Sequence, residues 1–262
     1  MTLSKKDSLE IRKEILKYSI GKRVHIGSMF SLVEILLYLF YEKMLIEEDS
    51  FILSKGHAAL LEYIIMNNLN RFSSNENLQK YGSLSSNLGT HPETTTSFIE
   101  VPTGSLGNGL GIAIGRAIYQ KYYSKGSRIY VVLGDGELNE GAIWEGFQQA
   151  PRFELSNLFV IIDNNKLQMV RESVINNGKN YKTIFELLGW DVEIVDGHSF
   201  NSINRGIEKL ENSEKPKILI ANTIKGKGKG IKEFEGNNIW HNNLISSSEY
   251  RKFAKELDNA FE

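Results

Sequence analysis

Two short apolar runs, residues 129–133 and 158–162, form the clearest hydrophobic pattern along the chain. Each run is rich in β-branched residues and ends in Gly, Asp or Asn, which is typical of a buried strand in a parallel sheet. Between them, Ile143, Phe147 and Ala150 recur at helical spacing. The pattern predicts a strand–helix–strand unit with polar clusters at the carboxyl ends of both strands, where open α/β sheets bind ligands.

Apolar periodicity predicts alternating helices and strands in the rest of the chain. Helices are predicted over residues 7–20, 30–46, 58–67, 105–123, 183–188, 200–210 and 246–262. Further strands are predicted over 51–53, 191–195 and 216–223, and a long connection over 70–103 that we expect to be functional. This alternation indicates an α/β fold with a mainly parallel sheet and helices on both faces. No repeat or boundary divides the chain, so residues 1–262 are predicted to form a single domain.

Composition argues against several classes of protein. The 31 basic and 32 acidic residues give a net charge of −1, without the basic excess that nucleic-acid binding favours. The chain has no cysteine, hence no disulfide framework, which fits a cytoplasmic protein. The longest apolar stretch, 29–40, is shorter than the ~20 residues of a membrane span. We therefore expect no nucleic-acid or membrane partner and a cytoplasmic location.

Polar residues after the two predicted strands have the chemistry of a metal–phosphate site. Asp135 and Asn165 offer oxygen ligands of the kind that Mg²⁺ prefers, and Mg²⁺ usually keeps phosphate oxygens in its shell. Gly134 and Gly136 lack a Cβ, so their backbone amides can approach a phosphate closely. The alternative is an ordinary tight turn, the commoner meaning of an isolated Gly-Asp-Gly. The Asn-Asn pair after the next strand favours a metal–diphosphate site.

Gly-Asp-Gly followed at this distance by Asn-Asn is similar to the thiamine-diphosphate-binding motif, and GDGELNEG followed by DNNKLQ resembles transketolase. Further segments resemble that family in its own order: GKRVHIGS (21–28), FILSKGHAA (51–59), GTHPE (89–93), TGSLGNGLGIAIG (103–115), TIKGKG (223–228) and WH (240–241). The resemblance implies the pyrophosphate module of the thiamine-diphosphate-binding fold. It also implies thiamine diphosphate and Mg²⁺ or Ca²⁺ as cofactors, and transfer of a two-carbon ketol unit from a ketose to an aldose.

The resemblance assigns several residues to the metal ion and the diphosphate. Asp135, Asn165 and the backbone carbonyl of Leu167 would be the protein ligands of the metal ion. Asn165 and Gly136 would also belong to the diphosphate site, and His57 would contact the diphosphate directly. The Asp135 and Asn165 assignments agree with the chemistry expected from their residue types.

Other residues are assigned by the resemblance to the substrate and to the rest of the cofactor. His25 and His91 would face the hydroxyl groups of the donor sugar. His241 would lie near the diphosphate and assist proton transfer, a task that suits imidazole near neutral pH. The backbone of Gly104 would face the aminopyrimidine, and Leu106 would pack on the thiazolium ring. For any one histidine considered alone, a structural role is the commoner alternative.

Four further features need an interpretation: Glu140, His198 and the segments 225–230 and 169–171. Glu140 resembles a glutamate of a carboxylate network at a subunit interface, but a solvated carboxylate near a helix N-terminus would also fit. The alternating Lys and Gly of 225–230 could indicate phosphate or nucleic-acid binding, but they are interpreted as a mobile active-site loop, and His198 is interpreted as structural. Residues 169–171 (Met-Val-Arg) depart from the aspartate and glycine usual in the family, which predicts a rebuilt loop beyond the metal ion.

A complete transketolase resembles this chain only over its first part. The chain therefore resembles the N-terminal subunit of a split transketolase, with sugars or sugar phosphates as substrates. A separately encoded partner would supply the pyrimidine-binding and C-terminal domains, including the glutamate that activates the aminopyrimidine. Family precedent implies an α2β2 assembly, with 105–123 and Glu140 at the interface.

The sequence leaves two alternative functions open. The chain could be a subunit of another thiamine-diphosphate enzyme, such as the α subunit of a 2-oxo acid dehydrogenase, although SKGHA and TIKGKG argue against this. It could also be a non-catalytic thiamine-diphosphate-binding protein, against which the intact metal motif and four histidines within matched motifs argue.

Overall fold

A computed structural model describes residues 3–123, 126–167, 178–228, 231, 233–236, 238, 240 and 242–259. The helices are α1 (Lys5–Ser19), α2 (Ile26–Tyr38), α3 (Ala59–Asn68), α4 (Asn108–Tyr123), α5 (Gly141–Arg152), α6 (Gly178–Leu187), α7 (Phe200–Glu211) and α8 (Ser247–Asn259). The strands are β1 (Arg23–Val24), β2 (Ser50–Leu53), β3 (Ile129–Gly134), β4 (Leu158–Asn164), β5 (Asp191–Asp196), β6 (Lys217–Asn222) and β7 (Asn243–Leu244). Across these ranges we find no helix with both the length and the apolar character needed to cross a membrane.

Five of the strands form one parallel sheet in the order β2-β3-β4-β6-β5. Its register pairs Gly134 of β3 with Asp163 of β4, and Asp163 in turn with Ala221 of β6. The carboxyl ends of the three central strands therefore reach the same edge of the sheet. The short strands β1 and β7 form a separate antiparallel pair.

Side chains alternate between the two faces of the sheet, and both faces are buried. Tyr130 and Val132 of β3 belong to a core built with α1, α2, α3, α7 and α8. Val131 and Leu133 belong to a second core built with α4, α5 and α6. Strands buried on both faces have continuous apolar runs, which explains the pattern that predicted them. The predicted α/β fold, with a mainly parallel sheet and helices on both faces, is confirmed.

Several helix starts differ from the sequence-based prediction, among them that of α6, which begins at Gly178 rather than at residue 183, and local backbone geometry explains the start of α4. Helix α4 begins at Asn108 rather than at residue 105, because Gly104 and Gly107 have φ angles of +146° and +94°. Neither value is compatible with a right-handed helix. Helix α2 begins at Ile26, earlier than the predicted residue 30, and a π-helical turn over Leu39–Lys43 follows it.

Glu62 on α3 is a buried acid away from the ligand-binding edge of the sheet. The residue is 3% exposed, and its Oε2 has no hydrogen-bond partner among the described residues. Burial raises the pKa of Glu62 to about 8, and the Glu100 carboxylate adds to the shift. The native state therefore holds this proton more tightly than the unfolded chain does. The associated stability is complete below a pH of about 4.5 and is lost as the pH rises toward 8.

We expect Glu62→Gln to reduce the loss of stability between about pH 5 and pH 8. Each unit by which the pKa of Glu62 differs between the folded and unfolded states corresponds to about 1.4 kcal/mol of pH-dependent stability. Glutamine cannot ionise, so the variant should be more stable than the wild type by at least ~1 kcal/mol at the higher pH. Urea unfolding at the two pH values measures this, with the exposed acid changed in Glu48→Gln as control. The same pH dependence in wild type and Glu62→Gln would contradict a protonated Glu62.

Candidate active site

Asp135 and Asn165 follow the neighbouring strands β3 and β4 at the carboxyl edge of the sheet. The Asp135 amide donates to the Asp163 carbonyl at 3.2 Å, so the two loops leave the sheet side by side. The Asn165 Nδ2 donates to the Asp163 carboxylate at 3.2 Å, and its Oδ1 accepts from the Leu167 amide at 3.1 Å. These contacts hold the two loops side by side at the carboxyl edge of the sheet and fix the Asn165 side chain between them.

The Asp135 carboxylate is almost enclosed by protein. It is 2% exposed and accepts hydrogen bonds from the amides of Gly136 at 2.8 Å and Lys166 at 2.5 Å. Burial raises its pKa to about 7, the Asp163 charge adds to this, and Lys55 opposes it. A carboxylate this costly to ionise is one that a bound cation would stabilise.

A buried ion pair between Lys55 and Asp163 lies under these loops. The two side chains are 1% and 0% exposed, and Lys55 Nζ lies 2.5 Å from Asp163 Oδ2. The hydroxyls of Ser31, at 2.7 Å, and Thr223 also donate to the Asp163 carboxylate. Burial alone would raise the pKa of Asp163, but the Lys55 charge and these hydrogen bonds hold it below its usual value. Neither partner was recognised as a site residue from the sequence.

A cleft of about 510 Å³ opens at this edge of the sheet. Its lining residues are His25, Ser28, Lys55, His57, His91, Gly104, Leu106, Gly134, Asp135, Gly136, Glu137, Asn139, Asn165, Leu167 and Lys225. The cleft thus contains every site residue predicted from the sequence except Glu140 and His241. His241 and the departing segment 169–171 lie outside the described residues.

Three of the predicted histidines meet in the cleft, although they come from separate segments. The ring centroid of His25 lies 5.2 Å from that of His57 and 6.3 Å from that of His91. Burial lowers the pKa of His91, with Glu93 opposing the shift, so this imidazole is favoured in its neutral form. A neutral imidazole can both donate and accept a hydrogen bond, which suits contact with hydroxyl groups.

The backbone around Gly104 brings the 104–107 segment close to these histidines. A Cβ on Gly104 would lie 3.1 Å from the His91 ring, so a larger residue would crowd His91 as well as strain the backbone at positive φ. Leu106 follows in the cleft lining and is 37% exposed. The segment therefore presents a backbone edge and an accessible apolar side chain to the cleft.

Glu140 and His198 lie outside the cleft lining. Glu140 is exposed at the start of α5 and lies beside Gly107. A Cβ added to Gly107 would lie 2.8 Å from the Cβ of Glu140. The position is that of a carboxylate at a helix N-terminus, and a role at an interface stays a prediction. The His198 ring contacts Glu34 and the Ile224 amide.

Glu137 is a buried residue of the cleft that sequence reasoning missed. It is 1% exposed, and its carboxylate accepts from Ser54 Oγ at 2.5 Å and from the amides of Gly107 at 2.9 Å and Gly134 at 3.2 Å. Burial raises its pKa, and these donors, with Lys55, oppose the shift. Glu137 joins the loop after β2 to the segments before α4 and at the end of β3, so it braces the walls of the cleft.

Lys225 is a second buried lysine in the cleft. It is 2% exposed, and its Nζ donates to Asn238 Oδ1 at 2.6 Å. Burial and the charge of Lys55 lower its pKa to about 8, with Asp135 and Asp163 opposing them. Residues 225–228, part of the segment interpreted from the sequence as a mobile loop, make backbone hydrogen bonds that include one from the Gly226 amide to the Gly27 carbonyl at 2.8 Å. The mobility of the segment stays a prediction.

The cleft residues fit a Mg²⁺ ion that shares its coordination with a bound diphosphate. Asp135 provides a buried carboxylate, Asn165 an amide oxygen and Leu167 a backbone carbonyl, all of them oxygen donors that Mg²⁺ accepts. Within the described part of the chain, no group of three or more His, Cys, Asp or Glu side chains could hold a metal ion. An ion bound here would therefore depend on ligand oxygens. The buried side chains of Lys55, which is paired with Asp163, and of Lys225 also line this cleft.

Fold and site together define an α/β protein with a polar cleft at the carboxyl edge of a parallel sheet, the place where this class of protein binds its ligands. The sequence profile of the transketolase thiamine diphosphate binding domain matches residues 24–257. The chain therefore belongs to the transketolase family, through its thiamine-diphosphate-binding domain. The resemblance inferred from the motifs is confirmed.

Individual relatives agree with this assignment. The chain is 35% identical to the transketolase of Homo sapiens over 243 residues, covering 89% of this chain and 38% of that protein. It is 31% identical to an apulose-4-phosphate transketolase subunit of Phocaeicola vulgatus over 253 residues, covering 92% of this chain and 89% of that protein. The transketolase structure from Campylobacter jejuni superposes with a TM-score of 0.83 at 28% identity, covering 97% of this chain and 42% of that one. The chain thus spans about two fifths of the length of these transketolases and most of the Phocaeicola vulgatus protein.

Proposed function

We propose that this chain is the diphosphate-binding subunit of a thiamine-diphosphate-dependent transketolase that transfers a two-carbon ketol unit from a ketose to an aldose. The observation that carries the proposal is the convergence of Asp135, Asn165 and three histidines in one cleft of a transketolase-family domain. Thiamine diphosphate, when bound, supplies a group that stabilises the carbanion equivalent of the transferred unit. The protein binds and orients the cofactor and the sugar. We take residues 1–262 as a single pyrophosphate-binding domain.

The polar end of the cleft is the proposed site for the diphosphate and the metal ion. Asp135, Asn165 and the Leu167 carbonyl would hold Mg²⁺ or Ca²⁺. Gly136 and His57 would contact the diphosphate, and the buried lysines Lys55 and Lys225 would lower the cost of burying its charge. This division of roles rests on residue chemistry, because Asp135 contributes the one side-chain carboxylate among the three proposed ligands, and the remaining ligands are neutral oxygens.

The remaining walls of the cleft suit the organic part of the cofactor and the sugar. Leu106 offers an apolar surface for the thiazolium ring, and Gly104 offers a backbone edge for the aminopyrimidine. His25 and His91 lie beside this position, where imidazoles can donate to or accept from the sugar hydroxyls. His241 is proposed to stand near the diphosphate and assist proton transfer, as the family resemblance implies.

A partner chain is proposed to complete the site. The family precedent is the Phocaeicola vulgatus protein, which is named as one subunit of a transketolase and which this chain nearly covers. Helix α4 has an exposed face on which Ile112 is 39% and Tyr119 61% exposed, and a Cβ on Gly111 or Gly115 would meet no atom within 4 Å. Such a face, with Glu140 beside it, is suited to close packing in an α2β2 assembly. The partner would bring the glutamate that activates the aminopyrimidine.

Reconstitution tests this function. The purified chain with thiamine diphosphate and Mg²⁺ should show no transfer, and adding the protein from the same genome that resembles the rest of a transketolase should restore it by orders of magnitude. Coupled assays follow ketose consumption and formation of the lengthened aldose. Full activity of the chain alone would refute the need for a partner, whereas inactivity of a mixture that binds thiamine diphosphate would indicate a non-catalytic role.

A further inference from the structure

A buried network outside the cleft joins Arg12 of α1, Glu34 of α2 and His198 after β5. Arg12 donates to the two Glu34 carboxylate oxygens at 2.8 and 3.0 Å, and Glu34 Oε2 lies 3.0 Å from His198 Nδ1. Arg12 and Glu34 are 3% and 7% exposed. The Arg12 charge and the His198 contact outweigh burial and lower the pKa of Glu34 to about 2. The network is therefore built around a permanently ionised carboxylate.

The two ends of this network are hydrogen-bonded to the backbone of one short segment. The Ile224 amide donates to His198 Nε2 at 2.9 Å, and Arg12 Nε donates to the Lys227 carbonyl at 2.6 Å. Because Nε2 accepts, the proton of the neutral imidazole is on Nδ1, from which it is donated to Glu34. Arg12 and His198 each contact the backbone of residues 224–227, and Glu34 joins these two side chains to each other.

Lys225 lies between these two anchors and is the cleft-lining residue of this segment. Lys225 directly follows Ile224 in the chain. The amide of the next residue, Gly226, donates to the Gly27 carbonyl at 2.8 Å, and a Cβ at Gly226 would lie 1.9 Å from the Phe234 carbonyl oxygen, so the segment packs closely on both sides. A displacement at residue 224 or 227 would therefore be carried directly to the Lys225 side chain. Its side chain is 2% exposed and its ammonium group donates to Asn238 Oδ1 at 2.6 Å, so the position of the buried charge depends on the backbone that carries it.

We propose that Arg12, Glu34 and His198 are positioning residues that hold Lys225 at the anion-binding end of the cleft. They touch neither cofactor nor substrate and act through the backbone of residues 224–227. The inference rests on the proposed function for the identity of the anion, a diphosphate. A purely structural role, in which the network only joins α1 to α2, would not require the two bonds to residues 224 and 227.

The test compares His198→Ala with His198→Gln. Alanine removes the acceptor of the Ile224 amide, whereas the glutamine carbonyl can replace the Nε2 acceptor without restoring a donor at the position of Nδ1. We expect His198→Ala to speed hydrogen exchange of the Ile224 amide at least ~10-fold relative to the core amide of Ile161. In the complete enzyme it should weaken thiamine diphosphate binding about 10-fold, with turnover at saturating cofactor near that of the wild type. His198→Gln should recover most of the protection of the Ile224 amide and most of the affinity for thiamine diphosphate.

Tyr38→Phe is the matched control, because it removes another hydrogen bond of α2, the 2.5 Å contact to Asn204 of α7, without touching residues 224–227. It should leave Ile224 exchange and cofactor affinity unchanged. Unchanged Ile224 exchange or affinity in His198→Ala, or no recovery in His198→Gln, would overturn the inference. If the wild-type assembly did not bind thiamine diphosphate, the proposed function would be wrong, while the exchange data would still decide whether His198 anchors the segment.

Discussion

Replacing Asp135 with alanine is expected to abolish Mg²⁺-dependent binding of thiamine diphosphate in the assembled enzyme. Asp135 is the only carboxylate side chain among the proposed metal ligands, and without it the diphosphate charge lacks its bridging ion. Loss of a residue that only supports a metal ligand typically costs 10–100-fold, so we expect at least ~100-fold for the ligand itself. Calorimetric titration of thiamine diphosphate at fixed Mg²⁺ measures this.

Asp196→Asn provides a matched control for Asp135→Ala. Asp196 also ends a parallel strand, β5, but it is exposed and lies outside the cleft. Its replacement should leave cofactor affinity within about 2-fold of the wild type, within the ordinary effect of a surface substitution. Thermal unfolding of both variants checks that each is folded. Unchanged affinity in a folded Asp135→Ala protein would remove the metal assignment.

The position of the metal–diphosphate residues could be predicted from the sequence for a simple geometric reason. Strands β3 and β4 are consecutive and joined by one helix, and such strands are usually neighbours in a parallel sheet. The apolar runs mark where each strand ends, so Asp135 and Asn165 were expected at one edge. The prediction needed only the point at which each apolar run ends, and that point is visible in the local sequence.

The meeting of the histidines could not be predicted in that way. His25 precedes α2, His57 follows β2, and His91 lies in the long connection before α4. No local period relates these segments, so only the resemblance to transketolases suggested that they share a pocket. Their convergence depends on the packing of α2 and α3 against the sheet, which is a property of the whole core rather than of any one segment.

The buried supports of the site were missed because their partners are far apart in sequence. Lys55 pairs with Asp163 across 108 residues, and Ser54 donates to Glu137 across 83. One signal was available: Asp163 closes an otherwise apolar strand, and an ionised group in such a position requires a buried partner. The sequence identifies the need for that partner but not the residue that meets it.

Lys55→Met is expected to destabilise the chain by about 3–5 kcal/mol, the usual cost of removing one member of a buried ion pair. Asp163 is fully buried, and its remaining hydroxyl donors, Ser31 and Thr223, carry no charge to offset it. Urea unfolding of the cofactor-free chain at neutral pH measures the loss. The double variant Lys55→Met/Asp163→Asn removes the buried charge and keeps one acceptor oxygen, which serves one of the two hydroxyls, because Ser31 and Thr223 donate to different oxygens of Asp163. It should therefore recover at least ~1 kcal/mol of the loss.

The pH dependence of the loss in Lys55→Met distinguishes an unpaired charge from a packing defect. In the wild type, Lys55 holds the pKa of Asp163 below its usual value of 3.8. The stability that the ionised Asp163 contributes to the folded chain is therefore complete above about pH 3.8. It is lost only as the pH falls through the lower pKa of the native state. Without Lys55, we expect burial to outweigh the remaining hydrogen bonds from Ser31 and Thr223 and to raise the pKa of the Asp163 carboxyl, so stability is lost as the pH rises above about 4. The deficit relative to the wild type should therefore be larger at about pH 8 than at about pH 5, and Lys55→Met/Asp163→Asn should show no such trend. A deficit equal at both pH values would mean that Lys55 contributes through packing rather than by compensating the Asp163 charge.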